Sequence, residues 1–302
     1  MIYKRKKAFG QALIIQLFLY LTENLIFLAV NDPHAQLIIS IPLTLTVYIL
    51  PVMFYRKRTG YTPFFSPLFP ETDNNKNEKY NVAKKALIFF SALSVTVTAV
   101  NIFGLLGDRI LLFFGFQRPP APTSPDFFTL SITFLKSVLI AAFCEEILFR
   151  GVMLHAFGQS SMNKAVLISA GLFALMHYNL SQTLYAFAAG AVIAYCAFKT
   201  RSLAFAFALH FGSNFITYIF TVLQFYLPQP LYNRISLITA SAFAAITLFS
   251  VIVIILKTLK ARRTPDTERR AKTVNGSDSA PPCPEIAAYA LFAFVLCILN
   301  LA

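Results

Sequence analysis

The chain has 302 residues, of which 57% are hydrophobic and only 13% charged. A soluble protein of this size carries roughly twice that charged share, so a soluble globular class is excluded. The net charge of +13 would suit a nucleic-acid binder, but the basic residues cluster in short segments beside apolar runs. No basic stripe with interleaved exposed aromatics is present, so nucleic acid is not an expected partner.

What remains is an integral membrane protein, with the lipid bilayer as its solvent. Several apolar runs exceed the ~18 residues that read as a spanning helix. Backbone groups in lipid must be satisfied within their own segment, which makes all-α the expected class. The period-2 alternation of an outer-membrane barrel is absent.

The basic start, Met1 to Lys7, precedes a first span over about Ala8 to Val30. That run is longer than a signal-peptide core and no small-x-small cleavage site ends it, so a retained helix is expected. Glu23 and Asn24 inside it read as a polar pair facing other helices. Asn31-Asp32-Pro33 marks a turn. A second span covers about Leu37 to Tyr55, and Arg56-Lys57-Arg58 opens a polar loop that lasts to about Tyr80. The third covers about Lys85 to Leu106. Gly107 to Pro125 reads as a short amphipathic piece followed by a Pro-rich stretch.

The fourth span begins near Phe127, carries Lys136 and Phe-Cys-Glu-Glu-Ile-Leu-Phe-Arg-Gly (Phe143 to Gly151), and extends to about Phe157. A shorter fifth covers Lys164 to His177, a sixth Gln182 to Phe198, a seventh Ser202 to Phe225 and an eighth Ile235 to Leu256. The expected architecture is therefore a polytopic bundle of about eight transmembrane helices. Its transmembrane domain is placed at residues 1–256, with a core at about 127–225. Residues 257–284 read as a basic cytoplasmic linker. Residues 285–302 hold a short apolar segment: a ninth helix, a re-entrant piece or an interfacial helix.

With the N-terminus in the cytoplasm, this alternation puts 22 of the 26 Lys and Arg residues on the cytoplasmic side. The positive-inside bias supports both the span count and the orientation. A prokaryotic cytoplasmic membrane is the expected location.

Charges within an apolar segment are expensive and usually functional. Glu146 and Arg150 are four residues apart, so on a helix they share a face and can pair. Glu145 is turned about 100° away. One carboxylate is thus held by an arginine and the other is left for chemistry. Of the four histidines, His34 and His155 lie in a loop and near a membrane surface and read as bland. His177 and His210 lie in apolar segments, with Asn214 one turn beyond His210. At ~1.5 Å per residue, Glu145 and His210 lie about 13 and 12 Å from their cytoplasmic helix ends, and His177 about 20 Å from its own, the least comfortable fit.

Two carboxylates, two histidines and an asparagine in a dry setting suggest hydrolysis. Glu145 could serve as general base with His177 sharing the water, and His210 with Asn214 could donate to a developing oxyanion. A divalent metal such as zinc on Glu145, His177 and His210 is the other catalytic option, although no local His-Glu-x-x-His pattern accompanies it. The bland alternative is a helix-locking salt bridge at Glu146 and Arg150 with packed histidines. The scattered cysteines Cys144, Cys196, Cys283 and Cys297 have no metal-ligand spacing and read as small buried residues. Nothing near Cys144 favours a thiolate nucleophile.

Three motifs now stand in order: Glu145-Glu146-Ile147-Leu148-Phe149-Arg150, Phe173-Ala174-Leu175-Met176-His177, and His210-Phe211-Gly212-Ser213-Asn214. In order and spacing the chain resembles the CAAX protease and bacteriocin-processing (Abi) family over about Phe127 to Phe225. The resemblance implies an intramembrane endopeptidase acting on a peptide or protein substrate at the membrane. It implies that Glu145 activates water with His177, that His210 and Asn214 stabilise the oxyanion, and that Glu146 and Arg150 are structural or substrate-orienting. Members have been described both as metalloproteases and as glutamate-dependent proteases. The reading from another class is a non-enzymatic membrane partner, such as a bacteriocin-immunity or peptide-binding protein.

Overall fold

The computed structural model describes residues 2–63, 82–116, 125–157, 161–263 and 283–300. Among these the chain is all-α, in nine helical runs. They are α1 (Ile2–Ala29), α2 (Pro33–Thr59), α3 (Val82–Phe113), α4 (Phe127–Phe157), α5 (Met162–Leu175), α6 (Leu180–Thr200), α7 (Leu203–Tyr226), α8 (Gln229–Arg263) and α9 (Pro284–Leu299). Seven of them are long and apolar enough to cross a membrane, and α5 and α9 are shorter apolar helices. The protein is an integral membrane helix bundle, and every expected span has its helix. Two ends differ from expectation. Helix α3 runs seven residues past Leu106, to Phe113, because nothing before Gly115, at φ 84°, breaks it. Helix α8 continues to Arg263, into the stretch read as linker; residues 264–282 lie outside the described residues.

Local sequence sets the helix ends. Asp32 caps α2 by accepting from His34 N, and Pro33, which lacks the N–H that the first turn leaves unbonded, opens it. Gly60, at φ 74°, ends α2 in a left-handed turn whose N–H reaches Arg56 O. Asp126 caps α4 through Thr129 N at 2.6 Å, which holds its carboxyl below the ordinary Asp range. Arg201 and Ser202 alone join α6 to α7: Arg201 takes φ 54° and Ser202 accepts from Phe205 N.

Helix α4 is not uniformly wound. The stretches Phe134–Ile140 and Ile147–Met153 are π-helical, flanking an α-helical Ala141–Glu146. In the first, Ala141 N–H reaches Lys136 O, five residues back. Such widened turns recur at functional sites, because they re-aim side chains without breaking the helix.

The ends of the helices define two faces. The start of α1 and the ends of α2 and α4 meet where Lys6 lies over the Phe157 ring and Tyr55 O–H pairs with His155 Nδ1 at 2.9 Å. There Tyr61 stacks on His155 with centroids 3.7 Å apart, and its burial pushes the phenol up to about 12. This face carries Lys4 to Lys7 and Arg56 to Arg58, and is the basic face. On the opposite face His34, at the start of α2, meets Asp126, at the start of α4, at 3.1 Å.

Helix α5 does not cross to that opposite face. The turn after it is tied to the middle of α1: Tyr178 stacks on Tyr20 at 4.1 Å and donates to Gln16 Oε1 at 2.7 Å. Tyr20 lies about 18 Å along the helix from Ala8, roughly halfway through a ~30 Å apolar core. A chain break at that depth leaves backbone groups that must find partners inside the protein. Asn179 accepts from Ser181 N, Thr183 donates to Asn179 O, and Asn300, at the end of α9, donates to Tyr178 O at 2.5 Å. The apolar C-terminal segment is therefore helix α9, starting at the basic face beside Lys7, whose Nζ is 3.9 Å from Glu285, and ending at this internal turn.

Candidate active site

The Glu-Glu-x-x-x-Arg segment lies at the centre of the bundle, and every residue from Cys144 to Leu154 is buried. Arg150, at 0% exposure the largest fully buried side chain, donates from Nη1 to Glu146 Oε1 at 2.9 Å and from Nη2 to Gly190 O on α6 at 3.0 Å. Its guanidinium also lies 4.5 Å from the centre of the Phe173 ring. A buried arginine needs this company, since desolvating an unpaired guanidinium costs several kcal/mol. Gly190 is small for the same reason: a Cβ there would come within 2.9 Å of Phe173 and 3.5 Å of Arg150 Nη2.

Glu146 is shared. The oxygen that takes Arg150 also takes His210 Nδ1 at 2.8 Å. A carboxylate only accepts, so His210 Nδ1 is the donor and the ring is turned with Nε2 away from Glu146. Nε2 faces Glu145, whose Oε2 is 3.8 Å away. The other Glu145 oxygen accepts from Tyr48 O–H on α2 at 3.2 Å. His210 thus stands between the two carboxylates, bonded to one and within reach of the other.

His177 lies just past the end of α5. Its Nδ1 is 2.9 Å from Phe173 O, and a carbonyl only accepts, so Nδ1 is the donor and Nε2 is left for another partner. Phe173 touches both histidines edge-on, with centroids 5.1 Å from His177 and 5.6 Å from His210. Asn214, one turn beyond His210, donates one amide hydrogen to Ser137 O on α4 at 3.0 Å and keeps a second.

His177, His210 and Asn214 line one cavity of about 360 Å³, together with Asn101 and Asp108 of α3 and Thr217 of α7. The α5–α6 turn packs against the middle of α1, so a residue beyond the end of α5 still meets α7: His177 and His210 both touch Phe173. Glu145 and Glu146 do not line this cavity; Glu145 adjoins it through His210, whose Nε2 is 3.8 Å from Glu145 Oε2. Cys144 lines a separate, smaller cavity with Tyr48 and Ile147.

The structure therefore brings Glu145, Glu146, Arg150 and His210 into one contact network and sets His177 and Asn214 on the adjoining cavity wall. Among the described residues no three His, Cys, Asp or Glu side chains form a group that could hold a metal ion. His34 and His155 lie at the two faces, away from the site. Tyr48, Asn101 and the Gly190 carbonyl were not read from the sequence. A tyrosine and an asparagine in apolar helices carry no spacing signal, and a glycine carbonyl carries none at all.

Comparison with known proteins fits this geometry. Residues 127–216 match the family described as type II CAAX prenyl endopeptidase Rce1-like. No curated protein and no solved structure matches the chain. The matched stretch contains all three motifs and ends two residues past Asn214, so over residues 127–216 this chain is similar to that family.

Proposed function

We propose that the protein is an intramembrane endopeptidase that hydrolyses a peptide segment or C-terminal tail held at the membrane. The observation that carries this reading is the placement of His210. It is anchored through Nδ1 to a buried, arginine-paired carboxylate, its Nε2 is 3.8 Å from Glu145, and it lines a cavity with His177 and Asn214. We place the basic face in the cytoplasm of a prokaryotic cell, on the charge bias of the loops.

In this mechanism Glu145 accepts a proton from water, which His177 Nε2 helps to hold by accepting its second hydrogen. The oxygen attacks the peptide carbonyl carbon, and the C=O electron pair moves onto the carbonyl oxygen. Asn214, through its second amide hydrogen, and His210, through Nε2–H of the imidazolium, donate to that oxyanion. Collapse breaks the C–N bond, and the proton taken from water passes to the leaving nitrogen. Tyr48 orients Glu145, while Glu146 and Arg150 fix His210. The 3.8 Å between His210 Nε2 and Glu145 is too long for a hydrogen bond and fits two groups that converge on a bound water or substrate oxygen.

The test is cleavage of a quenched-fluorescent peptide pool, prenylated and unprenylated tails included, by the purified protein in lipid. Wild type is compared with Glu145→Gln, each with and without chelator. Loss of cleavage in a folded Glu145→Gln variant is expected, and undiminished cleavage would sink the proposal. Loss of wild-type activity with chelator would replace the carboxylate-only route by a metal-dependent one. Peptide binding without cleavage, equal in both proteins, would favour the non-enzymatic partner.

A further inference from the structure

The cavity is one-sided. Towards the basic face α3 and α7 are in contact: Phe89 and Phe205 meet edge-on at 5.7 Å, and a Cβ on Gly212 would lie 3.1 Å from Leu93. Beyond Leu93 the two helices are held by different neighbours. Helix α3 follows α6, where Gly104 and Gly107 approach Tyr185 and Leu184, and is tied to α8 by Thr98 and Thr247 at 3.0 Å. Helix α7 follows α4 instead, through Asn214 to Ser137 O, Tyr218 to Leu130 O at 3.0 Å and Phe134 against Tyr218. The space between them is the cavity. It begins at His210 and Val100 and runs towards the opposite face as far as Asp108 and Thr217.

The eight residues from His210 to Thr217 cover about 10 Å of helix, the length of about three extended peptide residues. Polar atoms line this stretch within the apolar thickness: Asn101, Ser213, Asn214 and Thr217. An extended peptide brings N–H and C=O groups that lipid cannot satisfy, and these side chains are of the kind that can. We propose that the substrate is an extended peptide reaching the site from the face opposite the basic loops, through the cleft between α3 and α7, with Asn101 contacting its backbone. This rests on the hydrolase reading for what happens at the end of the path, but the path itself is a matter of geometry.

The path is tested without turnover. In a chain whose four cysteines are replaced by alanine, Thr217→Cys and Lys57→Cys are exposed separately to a charged, membrane-impermeant methanethiosulfonate, in right-side-out and in inverted vesicles. Lys57→Cys marks the basic face. Labelling of Thr217→Cys from the opposite side is expected. Labelling of both from one side, or no labelling of Thr217→Cys in either vesicle type, overturns the path. The occupant is tested with Gly104, where a Cβ would meet nothing closer than 3.9 Å. Gly171→Leu, outside the cleft at a position where a Cβ meets nothing within 4 Å, is expected to cleave like wild type, and Gly104→Leu, which fills the cleft, to lose at least tenfold in kcat/KM through KM. Equal cleavage by both variants overturns the occupant. If Glu145→Gln retains activity the hydrolase reading fails, whatever the labelling shows.

Discussion

His210 and Glu146 are joined by a 2.8 Å bond from Nδ1 to Oε1, and this single contact ties the third motif to the first across 64 residues of sequence. The same oxygen holds Arg150. An arginine on one helix and a histidine on another therefore depend on one buried carboxylate, and the consequences of cutting either link differ.

Arg150→Ala leaves Glu146 buried and without its cation. Breaking a buried pair on one side costs about 3–5 kcal/mol. Thermal unfolding in detergent is expected to fall sharply, with activity lost. Arg150→Lys keeps the charge but cannot span Glu146 and Gly190 O together with a planar fork, so a smaller loss is expected. Equal stability of Arg150→Ala and wild type would refute the pairing.

Tyr48→Phe removes the one hydrogen bond seen at Glu145 Oε1 and little else. The fold is expected to survive. Turnover should drop several-fold in kcat rather than KM, since the phenol O–H orients the carboxylate that takes the proton from water. A variant with unchanged kcat would show that Tyr48 only packs.

Gly190→Val drives a side chain into Phe173 and against the fully buried, paired Arg150. Overpacking of this kind costs about 1–3 kcal/mol. The melting temperature of Gly190→Val should fall by several degrees, and that of Gly171→Ala, where a Cβ meets nothing within 4 Å, should not.

Asn300→Leu withdraws the donor from Tyr178 O at the α5–α6 turn. A buried carbonyl left unpaired costs about 1–3 kcal/mol. Because His177 adjoins that turn, the loss should appear in kcat as well as in stability. If hydrolysis is untouched while stability falls, the C-terminal helix braces the fold without positioning His177.

Asp126 supplies the pH dependence outside the membrane-spanning segments. Its carboxyl lies below the ordinary value of 3.8, first because Thr129 N–H bonds its charged form. The sign follows: the cap stabilises α4 fully above 3.8 and is lost as pH falls through the lowered value. Asp126→Asn keeps an acceptor but does not titrate, so melting scans on the acid side should show a flatter pH dependence than wild type.

Much of this was legible in the chain. Long apolar runs dictate spanning helices because lipid offers no hydrogen-bond partner. The spacing of Glu146 and Arg150 dictates their pairing, since residues four apart share a helix face. Asp32-Pro33, Ser202 and Gly60 mark helix ends through capping chemistry that is local.

What the sequence could not reveal depends on which helices become neighbours. Tyr48 reaches Glu145 across 97 residues and Asn300 reaches Tyr178 across 122, and no periodicity encodes either meeting. Helix α5 ends halfway through the membrane only because α1 and α9 bring Gln16, Tyr20 and Asn300 to its broken end. That turn brings His177 to the cavity shared with His210. The cavity exists because α3 and α7, in contact at Leu93 and Gly212, then follow different partners. Local spacing determined that Glu146 pairs with Arg150, whereas packing between helices decided that His210 bonds Glu146 and turns its Nε2 towards Glu145.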